Sequence, residues 1–278
     1  MATTAAGLGV DPASCTVYMK SIQGGAIRTL FEVLKEIVHD VALKFTADGV
    51  HLVTADGARC ALINMTLDAD KFEEYHCAGA TRVGLNVNLL FKLVRIAGSH
   101  DTVTMYVRPE ESNELGILVQ NSEKNQRTDF KMKLLDVNYE DFELPEQVFD
   151  TVITMPSATL QRLCRDMSQL DDHVTIASRD GTLVLTCVGE RASQETVIGQ
   201  ADEGLVMSTN APTKGKFSLK YLCLFAKASS LCNSVEIYVK REYPIILKYY
   251  IASLGALTFV LAEVVQRGGG DDDSGAAP

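Results

Sequence analysis

The chain has 278 residues, 46% apolar and 22% charged, enough to bury one large or two ordinary cores. It has no apolar run near the ~20 residues that cross a bilayer, no basic and apolar start resembling a secretory signal, and seven scattered cysteines without a C-x-x-C pair, as expected of free thiols in a reducing compartment. A net charge of −10, taken alone, argues against a nucleic-acid partner, which usually calls for a basic balance.

Residues 1–15 read as a flexible leader. Ile27, Leu30, Phe31, Leu34, Ile37 and Val38 then recur at helical spacing, predicting a helix over 27–38. Alternation follows, with Val41, Leu43 and Phe45 on one face and Asp48-Gly49 as a hairpin signal. A strand over 82–86, a helix over 88–97 and strands over 102–107 and 115–120 complete a first domain spanning 16–133. Residues 134–150 are acidic, carry one proline and read as an interdomain connector. A second domain spans 151–265, with strands over 152–155, 235–239, 245–251 and 257–262 and helices over 158–170 and 218–228. The Gly- and Asp-rich residues 266–278 read as a disordered tail.

The second domain echoes the first. KLVRIAGSHDTVTMYV, beginning at Lys92, returns as LFAKASSLCNSVEIYV, beginning at Leu224, with Arg95 answered by Lys227 at a distance of 132 residues. Leu30 and Leu163, Leu34 and Met167, Val41 and Val174, and Leu43 and Ile176 lie 133 apart. Asp48-Gly49 and Asp180-Gly181 lie 132 apart, which places a one-residue slip in the connecting turn. So long a period indicates duplicated domains rather than a solenoid. The expected fold class is α+β: two similar domains, each with two helices on largely antiparallel sheets.

The charges segregate. The four predicted helices carry Arg28 and Lys35, Lys92 and Arg95, Arg162 and Arg165, and Lys220 and Lys227, against only Glu32, Glu36 and Asp166. The remaining chain holds 18 Lys and Arg against 33 Asp and Glu. Each pair of cations is three or seven residues apart, which puts both on one face of its helix. For a single helix that is ordinary solvated surface. Four such helices sharing one side would make a positive wall that meets phosphates without reading bases.

Catalytic signatures are missing. IQGGAIRT lacks the Lys-Ser/Thr of a phosphate loop. His39, His51, His76, His100 and His173 show no metal spacing, and Asp171-Asp172 reads as a polar turn. Neither an enzyme, a cofactor nor a metal is expected.

Six stretches together resemble the eukaryotic-type DNA sliding clamp, the proliferating cell nuclear antigen family: SIQGGAIRTLFEVLKEIV from Ser21, VGLNVNLLFKLVRIAG from Val83, FKMKLLDV from Phe130, LPEQVFDTVITMPSATLQRLCRDMS from Leu144, FSLKYLCLFAKA from Phe217 and YPIILKYYIASLGALTFVLA from Tyr243. The resemblance runs from about Val17 to Leu261. It implies a homotrimeric ring that encircles duplex DNA irrespective of sequence and tethers DNA polymerase, the clamp loader and other proteins bearing a short clamp-binding motif. It implies action in the nucleus, or at a viral replication site for a virus-encoded member. The channel cations it implies are Arg28, Lys35, Lys92, Arg95, Arg162, Arg165, Lys220 and Lys227, with Thr29 where the family has a further lysine.

The partner pocket implied by the resemblance comprises Ala55, Arg59, Cys60 and Leu62, connector residues Phe142, Leu144 and Pro145, and Pro244, Val260, Leu261, Ala262 and Glu263. Ala55 stands for a larger Met, Arg59 for His, Val260 for Tyr and Glu263 for Pro, so altered partner preference is expected. Arg179 replaces a modifiable lysine. The subunit contact is expected to pair an edge carrying Leu115, Ile117 and Val119 with one carrying Thr196 and Ile198, since each edge exposed alone would invite aggregation. The alternatives are a clamp-like subunit of a hetero-oligomeric checkpoint or virus-encoded ring, and a small-molecule enzyme on a duplicated scaffold. The latter requires a polar pocket with convergent titratable groups, for which the sequence offers no cluster.

Overall fold

A computed structural model describes residues 10–121, 123–137, 147–179, 181–199 and 204–264. The first half runs β1 (Val17–Ser21), α1 (Gly24–Leu34), β2 (Asp40–Thr46), β3 (Gly49–Ala55), β4 (Ala61–Asp68), β5 (Glu74–Cys77), β6 (Thr81–Asn86), α2 (Val87–Val94), β7 (Thr102–Val107), β8 (Glu114–Asn121) and β9 (Gln126–Lys133). The second half repeats that order: β10 (Thr151–Pro156), α3 (Ser157–Met167), β11 (His173–Arg179), β12 (Thr182–Val188), β13 (Ser193–Gly199), β14 (Val206–Thr209), β15 (Thr213–Ser218), α4 (Leu219–Phe225), β16 (Ser234–Val239), β17 (Ile245–Ile251) and β18 (Gly255–Leu261). A 3-10 turn over Ala226–Ser230 prolongs α4.

The helices bury the faces that their periodicity marks. Ile27, Leu30, Phe31 and Leu34 of α1, and Leu160, Leu163, Cys164 and Met167 of α3, are almost wholly shielded from solvent. α1 ends four residues before Val38. There the amides of Glu36 and Ile37 turn to the carbonyls of Val33 and Leu34, an i−3 pattern that tightens and stops the helix. It begins at Gly24, whose amide donates to Asp101 O at 3.1 Å. A Cβ at Gly24 would stand 2.4 Å from that same carbonyl, so a side chain cannot fit there.

All strand pairings are antiparallel. One sheet has the order β5-β1-β7-β8-β9 and another β13-β12-β11-β15. The third has nine strands, β14-β10-β16-β17-β18-β4-β3-β2-β6, because β18 of the second half pairs with β4 of the first, from Gly255 opposite Leu67 to Leu261 opposite Ala61. Alternating residues of β4 and β18 (Ile63, Met65 and Leu67; Leu257, Phe259 and Leu261) enter the common core. The two halves are thus joined by a continuous ladder as well as by the connector.

Two expectations need correction. The strands of the two first hairpins keep the 133-residue spacing throughout, since Thr46 faces Gly49 where Arg179 faces Thr182. The one-residue shift of Asp-Gly in the sequence therefore changes nothing in the spacing of the paired strands. Second, Leu115, Ile117 and Val119 do not lie on an edge. β8 is paired on both sides, with β7 and β9, and these three side chains are buried. Among the described residues the edge on that side of the sheet is one strand further on, at β9, whereas Thr196 and Ile198 do sit on the edge strand β13. A buried apolar run such as Leu115–Val119 marks an interior strand, and that is the signal the sequence reading overlooked.

Candidate nucleic-acid interface and partner groove

The four helices form one row. α2 packs on α1, α1 packs on the 226–230 turn, and that turn and α4 pack on α3. Asn86 caps α2 by accepting from Leu89 N at 2.9 Å. Because each helix commits its apolar stripe to the sheets, its cations are left on the outer face of the row. Lys92, Arg95, Arg162, Arg165, Lys220 and Lys227 are exposed, and Arg28 and Lys35 are half-buried.

The eight cations differ in how they are held. Arg28 donates through Nη1 to Ala97 O at 3.0 Å, tying α1 to the end of α2. Lys35 lies 4.5 Å above the Phe91 ring and 3.3 Å from the Glu36 carboxylate. Lys227 donates to Glu36 Oε2 at 2.8 Å, from one half of the chain to the other. Arg162 pairs with Asp166 at 3.5 Å, one helical turn away. Lys220 leans on the Tyr221 ring at 5.9 Å. Among the described residues no carboxylate pairs with Lys92, Arg95 or Arg165. The Lys227 and Lys35 ammonium groups hold the Glu36 carboxyl below the usual carboxylate range. All eight predicted residues are brought to one layer, although Glu36 offsets part of its charge.

The predicted partner residues gather where β3, β4 and β18 meet. Ala55 faces Leu62 across β3 and β4, and Leu62 faces Val260 across the seam. The Ala262 amide donates to Cys60 O at 2.9 Å. Arg59 is exposed with φ of 55°, in the left-handed region. Leu261, by strand alternation, points into the core and is 1% exposed, so it does not line the site. Phe142, Leu144 and Pro145 lie outside the described residues.

Two residues that the sequence reading missed fix this loop. Asp56 accepts from Ala61 N at 2.7 Å, from Ala58 N at 3.2 Å and from the Tyr221 hydroxyl at 2.5 Å. Burial alone would raise the Asp56 pKa, but these donors outweigh it and hold the carboxyl below its ordinary value. The same bond, together with burial, pushes the Tyr221 hydroxyl up to about 12. No sequence signal links positions 165 residues apart.

An open groove of about 1330 Å³ adjoins the site, lined among others by Ala177, Val184, Lys214, Lys216, Pro244 and Ala262. Glu263 borders it, but its carboxylate accepts from Lys216 N at 3.2 Å, and Val264 N donates to Lys216 O at 2.8 Å. The residue in place of the family's proline is therefore fastened to β15. Among the described residues no helix is long and apolar enough to cross a membrane.

Comparisons with known proteins bear on the fold and the family. The family model for the N-terminal domain of proliferating cell nuclear antigen matches residues 18–142, and that for the C-terminal domain matches residues 143–264. A protein of Paramecium bursaria Chlorella virus 1, described as probable DNA polymerase sliding clamp 1, is 41% identical over 261 residues, covering 92% of this chain and all of the relative. The crystal structure of proliferating cellular nuclear antigen from Entamoeba histolytica superposes with a TM-score of 0.83 at 22% identity, over 90% of this chain and all of that one. The duplicated α+β architecture is that of the DNA clamp fold. With both of its halves matched in order, this chain belongs to the proliferating cell nuclear antigen family.

Proposed function

We propose that three copies of this chain close into a ring around duplex DNA and act as a sliding clamp, a processivity factor that tethers DNA polymerase and other replication and repair proteins. The observation that carries this reading is a pair of strand edges, β9 and β13, with no partner strand among the described residues, that match the pair already joined inside the chain. Through their own neighbours, β9 is the counterpart of β18 and β13 that of β4. Transferring the β18–β4 register to them sets Gln126 opposite Ile198, Thr128 opposite Thr196 and Phe130 opposite Gln194 of the next subunit. Inside the chain the equivalent pairs are Gly255 with Leu67, Leu257 with Met65 and Phe259 with Ile63, and the side chains of Leu67, Leu257, Met65, Phe259 and Ile63 are buried. Thr128, Phe130, Gln194, Thr196 and Ile198 are only half-buried in the single chain, as residues awaiting a cover would be. One head-to-tail contact repeated by a closing rotation makes a ring.

Ring closure carries the helical row around the inner wall, where its cations meet backbone phosphates. These contacts are independent of sequence and can shift along the duplex, because phosphates recur every ~1.7 Å of helix axis. The acidic outer surface disfavours DNA elsewhere, so retention is topological. The chain itself does no chemistry in this reading, and it acts where DNA is replicated, in the nucleus or at a viral replication site. The test is loading onto nicked circular DNA by a cognate ATPase loader, followed by linearisation in high salt. The clamp is expected to stay on circles and run off linear DNA; equal retention on both would reject encirclement.

The site at the β3–β4–β18 junction receives the short clamp-binding motif in this reading. Ala55 leaves it shallower than a methionine would. Ala55→Met is expected to tighten a standard family peptide about tenfold, from the added apolar burial. Calorimetry reads this directly, and an unchanged Kd would place the peptide elsewhere.

A further inference from the structure

Among the acids of the helical wall, Glu32, Glu36 and Asp166, Glu36 stands out because it engages cations from both halves of the chain. Its two oxygens straddle two ammonium groups, Lys227 Nζ at 2.8 Å and Lys35 Nζ at 3.3 Å, as a backbone phosphate would. It sits at the seam where α1 meets the 226–230 turn, and its side chain is 40% exposed, so an incoming phosphate can reach the same cations.

The duplication provides an internal comparison. Residue 169 is the counterpart of residue 36: the Glu36 amide bonds to Val33 O as the Gln169 amide bonds to Asp166 O, each just past the end of its helix. Arg95 is likewise the counterpart of Lys227. In the closed ring, Gln169 of one subunit would therefore face Arg95 of the next, with a neutral amide where the intrachain seam has a carboxylate. Gln169 is exposed, and Arg95 has no carboxylate partner among the described residues. In that ring this joint would close without the acid.

We infer that Glu36 is a resident phosphate mimic, which occupies Lys35 and Lys227 until DNA displaces it and so weakens the ring's hold on DNA at every second joint. The inference rests on the sliding-clamp reading. An acid in this place limits how deep an electrostatic well the duplex meets at the intrachain seams, which carry Lys35 as well as Lys227, while the seams at Gln169 have Ser168 in the place of Lys35 and keep Arg95 available. Holding and gliding are then balanced by a side chain that need not touch DNA itself.

The test measures binding of the full-length protein to a short linear duplex by fluorescence anisotropy across a salt series, with thermal unfolding of each variant alongside. Glu36→Gln is expected to tighten binding about two- to five-fold at low salt, and to steepen the fall of log K with log salt because Lys35 and Lys227 now release counterions. Gln169→Glu is expected to do the opposite. An unchanged affinity and slope in both variants, with Lys92→Gln/Arg165→Gln still weakening binding, would overturn the role of Glu36 and leave the clamp reading standing. A drop in melting temperature with Glu36→Gln and no change on DNA would make it a structural tie between the halves instead, and would also overturn the proposal. Indifference of DNA binding to Lys92→Gln/Arg165→Gln as well would remove the clamp reading itself, and the proposal with it.

Discussion

Replacing Gly255 with alanine is expected to destabilise the folded chain by about 1–3 kcal/mol, the usual cost of forcing extra atoms into a packed interior. A Cβ at this position would lie 2.0 Å from Thr66 O, with Thr66 C and Leu67 Cα at 2.9 and 3.0 Å. All three are backbone atoms of β4, so no side chain can rotate away. The strain falls on the first rung of the β18–β4 ladder, beside the Asp68 amide bond to Leu254 O at 2.9 Å and the Gln23–Ser253 bond at 2.9 Å. Urea titration of the variant measures the loss, and hydrogen exchange should show it concentrated in β4 and β18. Gly57→Ala is the control: nothing lies within 4 Å of its added methyl, and its stability should match the parent. Equal midpoints for both variants would mean that the seam has slack that the geometry does not show.

The second large effect is expected at the other kind of joint. Thr196 lies on the edge strand β13, half-buried, and faces Thr128 of the next subunit in the transferred register. Its intrachain counterpart, Met65, is fully buried. Thr196→Lys leaves the single chain able to hold the new ammonium in water. Closing the ring would bury it without a partner, at a cost of about 3–5 kcal/mol per joint. Light scattering should therefore find monomers where the proposed ring requires the parent to be trimeric, with an unchanged circular dichroism spectrum. A variant that remains trimeric at the same concentrations would show that β13 is not the contact. A lysine at Leu115, Ile117 or Val119 of β8, the strand first expected to form the joint, would instead destabilise the chain itself, because these three are core residues.

Much of this was legible in the sequence, and the part that was not has a physical cause. Helices α1, α2 and α3 show themselves by a 3.6-residue apolar stripe, and β7 and β17 match their expected bounds because their apolar side chains form the core. β9 was overlooked as a strand, and β13 was expected only as an edge carrying Thr196 and Ile198. QRTDFKMK and SQETVIG mix polar and apolar residues because in one chain only one edge of each is hydrogen-bonded and their inner faces are half-covered. The short β5 and β14 carry four residues each, too few for alternation to register. The cationic wall was readable because the same weak signal, two cations on one face, recurs in all four helices. Which cations are held by acids was not, since the Glu36–Lys227 pair spans 191 residues and depends on how the two halves meet. Tyr221 and Asp56 escaped for the same reason.

The nine-strand sheet has a mechanical consequence. In a closed annulus of three chains, half of the six boundaries are spliced by a covalent connector in addition to their strand ladder, and half depend on two bare strands lying side by side. A machine that pries the annulus apart to admit DNA gains nothing by pulling within a protomer, where a parted ladder would still be bridged by polypeptide. It has three equivalent latches to choose from, and undoing any one of them makes a gate.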